Sequence, residues 1–327
     1  MTISQARAAI VARSTWRAWV ALAAVYVLWG STYTAIQVGV REFPPFLLAG
    51  TRYMFAGLLL YLIAGHQGGW RQRPARWRWP SWAEAVSAGV VGLFLLLGGN
   101  GLVTFGEVRV HSGLAALMIA TVPLWMALLG LALRGSRRLG AVSWAGVVLG
   151  MAGVVVLVGP GAGGGLTLLP AVELIAAAVL WSVGSLYAQR APLARNVLLV
   201  SAVEMLVGGL ALIVVGLVSG EVGQVQFSRV GLPAVLAYVW LVTGGSLAGY
   251  TCYTYALKML PPTTVATYAY VNPVVALLLG WLILGQGLSA GAGLAAALIT
   301  LGVVLMVSGP ALTRRRSRGR LGHNPGA

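Results

Sequence analysis

Aspartate is absent from the 327 residues, and six glutamates stand against 22 lysines and arginines. Charged residues make up only 9% of the chain, where a soluble domain carries about 25%. There is too little polar side chain to cover a water-facing surface, and a soluble globular enzyme is excluded. Cysteine occurs once, as Cys252. That rules out an internal disulfide and any cysteine cluster for zinc or iron–sulfur, and leaves a small apolar side chain. The three histidines, His66, His111 and His323, fall in connections, at a helix edge or in the tail. They offer no metal or acid–base cluster, so neither a metal nor a cofactor is expected. Aspartyl chemistry has no Asp to work with, and no Gly-x-Ser-x-Gly turn or phosphate loop occurs, so this chain does not hydrolyse ATP.

What the chain does have is apolar length. Hydrophobic residues make up 59%, mean hydropathy is +0.87 and glycine reaches 45, which excludes disorder and suits spanning helices. The net charge of +16 sits in short clusters between apolar runs rather than on a basic face, so nucleic acid is not an expected partner. A bilayer core asks for about 20 apolar residues per helix. Ten runs qualify: Ala18–Val38, Phe46–Ile63, Trp82–Phe105, Ser112–Leu133, Val142–Val158, Leu169–Gln189, Val197–Val218, Pro233–Leu257, Thr263–Leu284 and Ala290–Gly309. The first continues straight into Trp29 and Tyr33 and reads as a span, not a cleaved leader. With the N-terminus inside, 18 of the 22 basic residues fall in inside segments. The positive-inside bias then expects both termini in the cytoplasm, and it requires an even number of spans.

The chain also repeats itself. Shifted by 150 residues, Asn100–Gly130 falls on Tyr250–Gly280, with Pro123 on Pro273 and Thr104 on Thr254. Shifted by 152, Leu28-Trp29 falls on Leu180-Trp181 and Arg52 on Glu204. Gly159-Pro160 and Gly309-Pro310 close the two halves. The expected organisation is a cytoplasmic segment 1–17, a five-helix repeat 18–160, a second five-helix repeat 161–310 and a basic tail 311–327. Because five is odd, the two copies insert with opposite orientation, a plan of secondary transporters whose substrate sits near the midplane between the halves. The fold class is therefore an all-α integral membrane protein of ten helices around a central cavity.

Polar groups inside a membrane are expensive and mark cavities or helix contacts. Helix 1 places Trp29, Tyr33 and Gln37 on one face, with Ser31 and Thr32 beside them. Helix 6 repeats the spacing with Trp181 and Ser185. Asn100 and Thr104 come from helix 3, Met118, Thr121 and Trp125 from helix 4, and Tyr250, Tyr253 and Thr254 from helix 8. Helix 9 carries Tyr268, Tyr270 and Asn272. The competing reading of such aromatic residues is an interface belt, which suits Trp16, Trp19, Trp77, Trp79 and Trp82. A ring-rich, nearly uncharged lining suits a neutral or zwitterionic solute, held by stacking or by cation–π attraction on an ammonium. Arg52 and Glu204 are the deep charges, read as a carboxylate contact or coupling group on one view and as snorkelling or locally paired residues on the other. Glu204 is the one acid within a run placed to carry a coupling proton, since Glu84 and Glu173 lie near helix starts.

Pro123 and Pro273 fall inside helices 4 and 9, where a proline removes a backbone hydrogen bond and kinks the helix. They read as paired hinges or as static bends. Pro44-Pro45 and Pro261-Pro262 start helices 2 and 9. Helices 5 and 10 carry few polar side chains, and Gly146, Gly150 and Gly153 make a small-residue face for close packing, so both are expected outside the cavity. The tail from Arg314 reads as a flexible basic strip on the anionic inner leaflet.

The run Leu28-Trp29-Gly30-Ser31-Thr32-Tyr33, the Asn100-Gly101 step, Ala120-Thr121-Val122-Pro123 and Tyr268-Ala269-Tyr270-Val271-Asn272-Pro273-Val274-Val275 resemble the drug/metabolite transporter superfamily. Within it the chain is similar to the ten-helix EamA family of metabolite and amino-acid exporters, over about residues 18–309. The resemblance implies two inverted five-helix repeats in a bacterial-type plasma (inner) membrane. It implies efflux of small metabolites, amino acids and aromatic ones among them, by alternating access. The expected partners are that solute and the lipid bilayer, with the oligomeric state left open between a monomer and an assembly. A passive facilitator stands as the alternative, and a membrane-embedded enzyme as a remote one.

Overall fold

The computed structural model describes residues 3–68, 80–131, 140–158, 167–194, 196–226, 228, 230–260, 265, 267–287 and 289–321. Among the described residues the chain is helical without strands. Among them seven helices are long and apolar enough to cross a membrane, and three shorter apolar helices, Ala141–Leu157, Val271–Leu284 and Ala290–Met306, join these. These fall one for one on the ten apolar runs. We number them α1 (Ile3–Gly39), α2 (Pro45–Gly68), α3 (Trp82–Gly106), α4 (Ser112–Leu131), α5 (Ala141–Val158), α6 (Leu168–Ala188) and α7 (Val197–Val218). The eighth, α8, is built from Leu232–Trp240, Leu241–Ala248 and Gly249–Met259, followed by α9 (Tyr268–Leu284) and α10 (Ala290–Leu321). The basic connections 69–79 and 132–139, Gly159-Pro160 and Pro261-Pro262 lie outside the described residues.

The helix ends are fixed by capping. Ser81 and Glu84 form a reciprocal capping box at α3, and Asn196 accepts from Leu198 N at 3.1 Å at α7, satisfying amides that a helix start leaves unpaired. The buried Glu221 carboxylate closes α2 by accepting from Phe46 N at 3.2 Å and Leu47 N at 2.9 Å. Glu42 accepts from Gly231 N at 2.6 Å just before α8. Gly285, at φ 63°, ends α9 in the left-handed conformation that glycine adopts without strain.

Two helix pairs pack through glycine seams. Along α2 and α7, a Cβ placed on Gly50 would lie 2.9 Å from Gly209 O. Along α5 and α10, a Cβ on Gly302 would lie 2.4 Å from Gly150 N. Such contact lets backbones approach closely, as in membrane helix pairs where lipid offers no hydrophobic drive. The outer flanks of α5 and α10 expose Trp144, Val148, Val155, Leu294 and Leu301. Exposed apolar surface on this scale is a face for lipid.

Three local departures bear on the site. The fourth helix breaks between Ile119 and Val122, one turn ahead of Pro123, where proline lacks an amide and crowds the preceding carbonyls. Pro273, by contrast, lies inside an unbroken α9, so the expected symmetry of the two kinks is only half present. In α3 and α8 the segments Leu93–Gly101 and Leu241–Ala248 are wound as π-helix, a form often found at functional sites. Of the tail, α10 stays helical to Leu321, since Arg and Leu are good helix formers, and residues 322–327 lie outside the described residues.

Candidate functional site

Four aromatic rings meet where α1, α8 and α9 cross. Trp29 lies 5.5 Å from Tyr250, 5.0 Å from Tyr253 and 5.0 Å from Tyr268 between ring centroids, and Tyr253 lies 5.9 Å from Tyr268. The edge-to-face and tilted geometries are those that aromatic quadrupoles favour. The crossing is possible because Gly30 faces Val275, where a Cβ would come within 2.6 Å of the valine Cβ. The Trp29 indole in turn donates to Gly245 O at 3.1 Å, a carbonyl within the π-helical segment of α8. A Cβ on Gly249 would lie 2.5 Å from Trp29 Nε1. The glycines of α8 thus make the slot that the indole fills.

A second cluster borders the first. Arg52, 3% exposed, donates from Nη2 to Tyr53 Oη at 2.7 Å and to Asn100 Oδ1. Thr104 donates to Asn100 O at 2.9 Å. Tyr250 lies within electrostatic reach of Tyr53 and Glu204, and Tyr268 within reach of Tyr33. Trp181 packs on the matching π-helical segment of α3, where a Cβ on Gly99 would meet its Cε3 at 2.7 Å. Trp29, Thr32, Tyr33, Asn100, Trp181, Ser185, Tyr250, Tyr253 and Tyr268 are all half-buried.

The remaining expected site residues are placed differently. Met118 is 0% exposed and belongs to the apolar cluster of α4, α5, α6 and α10, and Thr121 is 1% exposed and turned back on Met118 O at 2.6 Å. Neither joins the rings here. Thr32 and Ser185 donate to carbonyls of their own helices, Trp29 O at 2.6 Å and Trp181 O at 2.7 Å. Asn272 is buried beside Gly30, with its Oδ1 unpartnered.

At one end of the bundle Gln37 ties α1 to α4. It donates to Val110 O at 3.0 Å and accepts from Ser112 N at 2.8 Å, and Gln286, just past α9, bonds both Gln37 and Ser112. A shallow recess lined by His111, Leu114, Leu277 and Gln286 opens over this latch. Beside the latch lies an acid that the sequence does not single out. Glu107, immediately past α3, is 1% exposed and makes no hydrogen bond with either carboxylate oxygen. Burial pushes its carboxyl well above the usual range, and the charge of Arg52 only partly opposes this. Glu204, half-buried, is therefore not the sole acid held inside the bundle. The signal for Glu107 is indirect: among the six glutamates, Glu42, Glu84, Glu173 and Glu221 are engaged by backbone amides or by Arg109. Among the described residues no three His, Cys, Asp or Glu side chains gather as a metal site.

The chain resembles known transporters along most of its length. Residues 15–159 and 169–308 each match the EamA-like transporter family. It is 35% identical over 302 residues to the "uncharacterized inner membrane transporter YedA" of Escherichia coli (strain K12), covering 88% of this chain and 90% of that one. It is 25% identical over 306 residues to the "WAT1-related protein At3g02690, chloroplastic" of Arabidopsis thaliana, covering 90% of this chain and 70% of that protein. A solved crystal structure superposes with a TM-score of 0.59 at 25% identity, over 91% of this chain and 98% of the other.

Proposed function

The chain belongs to the EamA-like transporter family, and on that premise we propose that it exports small amphipathic metabolites, neutral and aromatic amino acids foremost, by alternating access. Ten spans form two inverted five-helix halves, with both termini in the cytoplasm and the substrate between the halves. One observation carries this reading. Trp29 seats on Gly249 of α8, and Trp181 seats on Gly99 of α3. The two tryptophans are related by 152 residues and the two glycines by 150. Each half thus plants its tryptophan in a π-helical slot of the other, the relation that an inverted repeat produces at its central interface.

The chemistry of the lining supports the substrate class. Rings of Trp29, Tyr250, Tyr253 and Tyr268 offer faces to an aromatic or aliphatic side chain and to an ammonium. Arg52 and Asn100 stand alongside for a carboxylate and an amine. Access is supported by an asymmetry between equivalent residues. Gln37 closes its end through α4 and Gln286, whereas Gln189, its equivalent 152 residues on, is exposed. On the proposed topology this is a state shut to the outside. Pro123, beside the broken turn of α4, and Pro273 are the hinges proposed to relay the change.

The test is an export screen. Cells overproducing the protein are challenged with amino acids and toxic aromatic analogues, with and without a proton gradient. Resistance together with lowered intracellular solute supports the reading. Unchanged sensitivity and unchanged pools across the panel refute the substrate class.

A further inference from the structure

Glu107 and Arg52 are an acid and a base held in the interior without pairing. Glu107 is 1% exposed with both oxygens unpartnered, and Arg52 is 3% exposed with its Nε unpartnered. The guanidinium is near enough for its charge to act on the carboxyl, yet its Nη2 is spent on Tyr53 and Asn100. A buried carboxylate with no donor keeps none of its hydration, so it persists only when protonated. Among the described residues the groups facing it are few. Tyr33 of α1 lies within its electrostatic reach, and Arg52 and Tyr53 come from α2. From α6, Glu173 approaches Gly106 but is bound by Arg109 at 2.6 Å, and His111 on the same connection is exposed.

We propose that Glu107 is the proton-binding site that couples solute export to the proton gradient, with Arg52 switching between Asn100 and Glu107. This rests on the reading of the chain as an exporter of amines. In the closed state Glu107 holds its proton and Arg52 donates to Asn100. An incoming ammonium that donates to Asn100 Oδ1 releases the guanidinium. Arg52 then pairs with Glu107, whose O–H bond breaks and whose proton leaves to water. Opening the Gln37 latch, five residues from Glu107 at Ser112, wets the site from the other side.

Glu107→Gln is the test, because glutamine copies the shape of the protonated acid and the variant keeps the closed packing. Three measurements read it, with L-phenylalanine as the probe. Infrared difference spectra of substrate-free protein at neutral pH should show a carboxylic-acid band in the parent that the variant lacks. In proteoliposomes an imposed pH gradient should accelerate phenylalanine transport by the parent and no longer do so in the variant, while melting in detergent at neutral pH shows the variant at least as stable as the parent. A variant still driven by the gradient, or a parent without the acid band, overturns the proposal. A parent with no counterflow overturns the exporter reading itself, and the coupling with it.

Discussion

Gly249→Ala tests whether the slot in α8 sets the tryptophan. The new Cβ would stand 2.5 Å from Trp29 Nε1 and 2.8 Å from its Cδ1. Ordinary contact needs about 3.5–4.0 Å, so the indole must retreat by about 1 Å. That movement stretches the 3.1 Å bond to Gly245 O beyond hydrogen-bond range and shifts the ring against Tyr250, Tyr253 and Tyr268. Overpacking of this kind costs about 1–3 kcal/mol, and a lost interhelical bond in a membrane about 0.6 kcal/mol. If half of that sum is expressed in solute binding, affinity drops by roughly tenfold, since 1.4 kcal/mol is a factor of ten. Gly302→Ala is the comparison. Its Cβ meets backbone at 2.4 Å in the α5–α10 seam, away from the rings. Concentration dependence of phenylalanine counterflow and melting in detergent, measured on both variants, separate the effects. Gly249→Ala should raise the half-saturating concentration at a modest loss of melting temperature. Gly302→Ala should lower melting more and leave half-saturation near the parent. Equal half-saturation in Gly249→Ala and parent would refute the placement of the solute beside Trp29.

Other outcomes follow from the same geometry. Glu107 gives folding a defined pH dependence. Above the ordinary glutamate value of about 4.3 the unfolded chain ionises first, so stability falls as pH rises, by up to ~1.4 kcal/mol per unit, until the buried group ionises too. Melting of parent minus Glu107→Gln across pH 4–8 should decline steadily, and a flat difference would contradict a buried acid. Gln37→Ala removes three bonds of the latch. At about 0.6 kcal/mol each they total roughly 2 kcal/mol, enough to raise maleimide labelling of a Val110→Cys reporter in a Cys252→Ala background by at least several-fold. Unaltered labelling would mean that the latch holds nothing shut. Tyr268→Ala and Trp181→Ala should insert normally and abolish counterflow, as read by membrane yield and flux in parallel, and wild-type flux in both would remove these rings from the lining.

Much of this arrangement is legible in composition and spacing, because a bilayer imposes its thickness on the sequence. Apolar length marks each helix from α1 to α10, and the four-residue interval from Trp29 to Tyr33 places both on one face of α1. The Trp29/Trp181 and Pro123/Pro273 correspondences need only a shift of the chain against itself. Other features depend on tertiary contact. Glycine-rich apolar stretches read alike as α- or π-helix, so the widened turns at Leu93–Gly101 and Leu241–Ala248 leave no periodic trace. Glu107 follows a span and carries no periodic mark in the sequence, yet it is buried in the connection whose Val110 carbonyl accepts from Gln37. Met118 sits at a plausible cavity position on an ideal helix, but the chain breaks two residues later and the side chain points into the packed cluster. Gln286, in a short connection, gains its role only from the distance of 249 residues it spans to reach Gln37.

Trans-stimulated exchange tests the account most directly. Proteoliposomes of the parent and of Trp29→Ala, loaded with unlabelled phenylalanine and bathed in the labelled solute, are followed for uptake side by side. The account predicts strong acceleration by internal solute in the parent and none in the variant. No acceleration in the parent, or the same acceleration in both, would contradict a carrier whose two halves close around that ring.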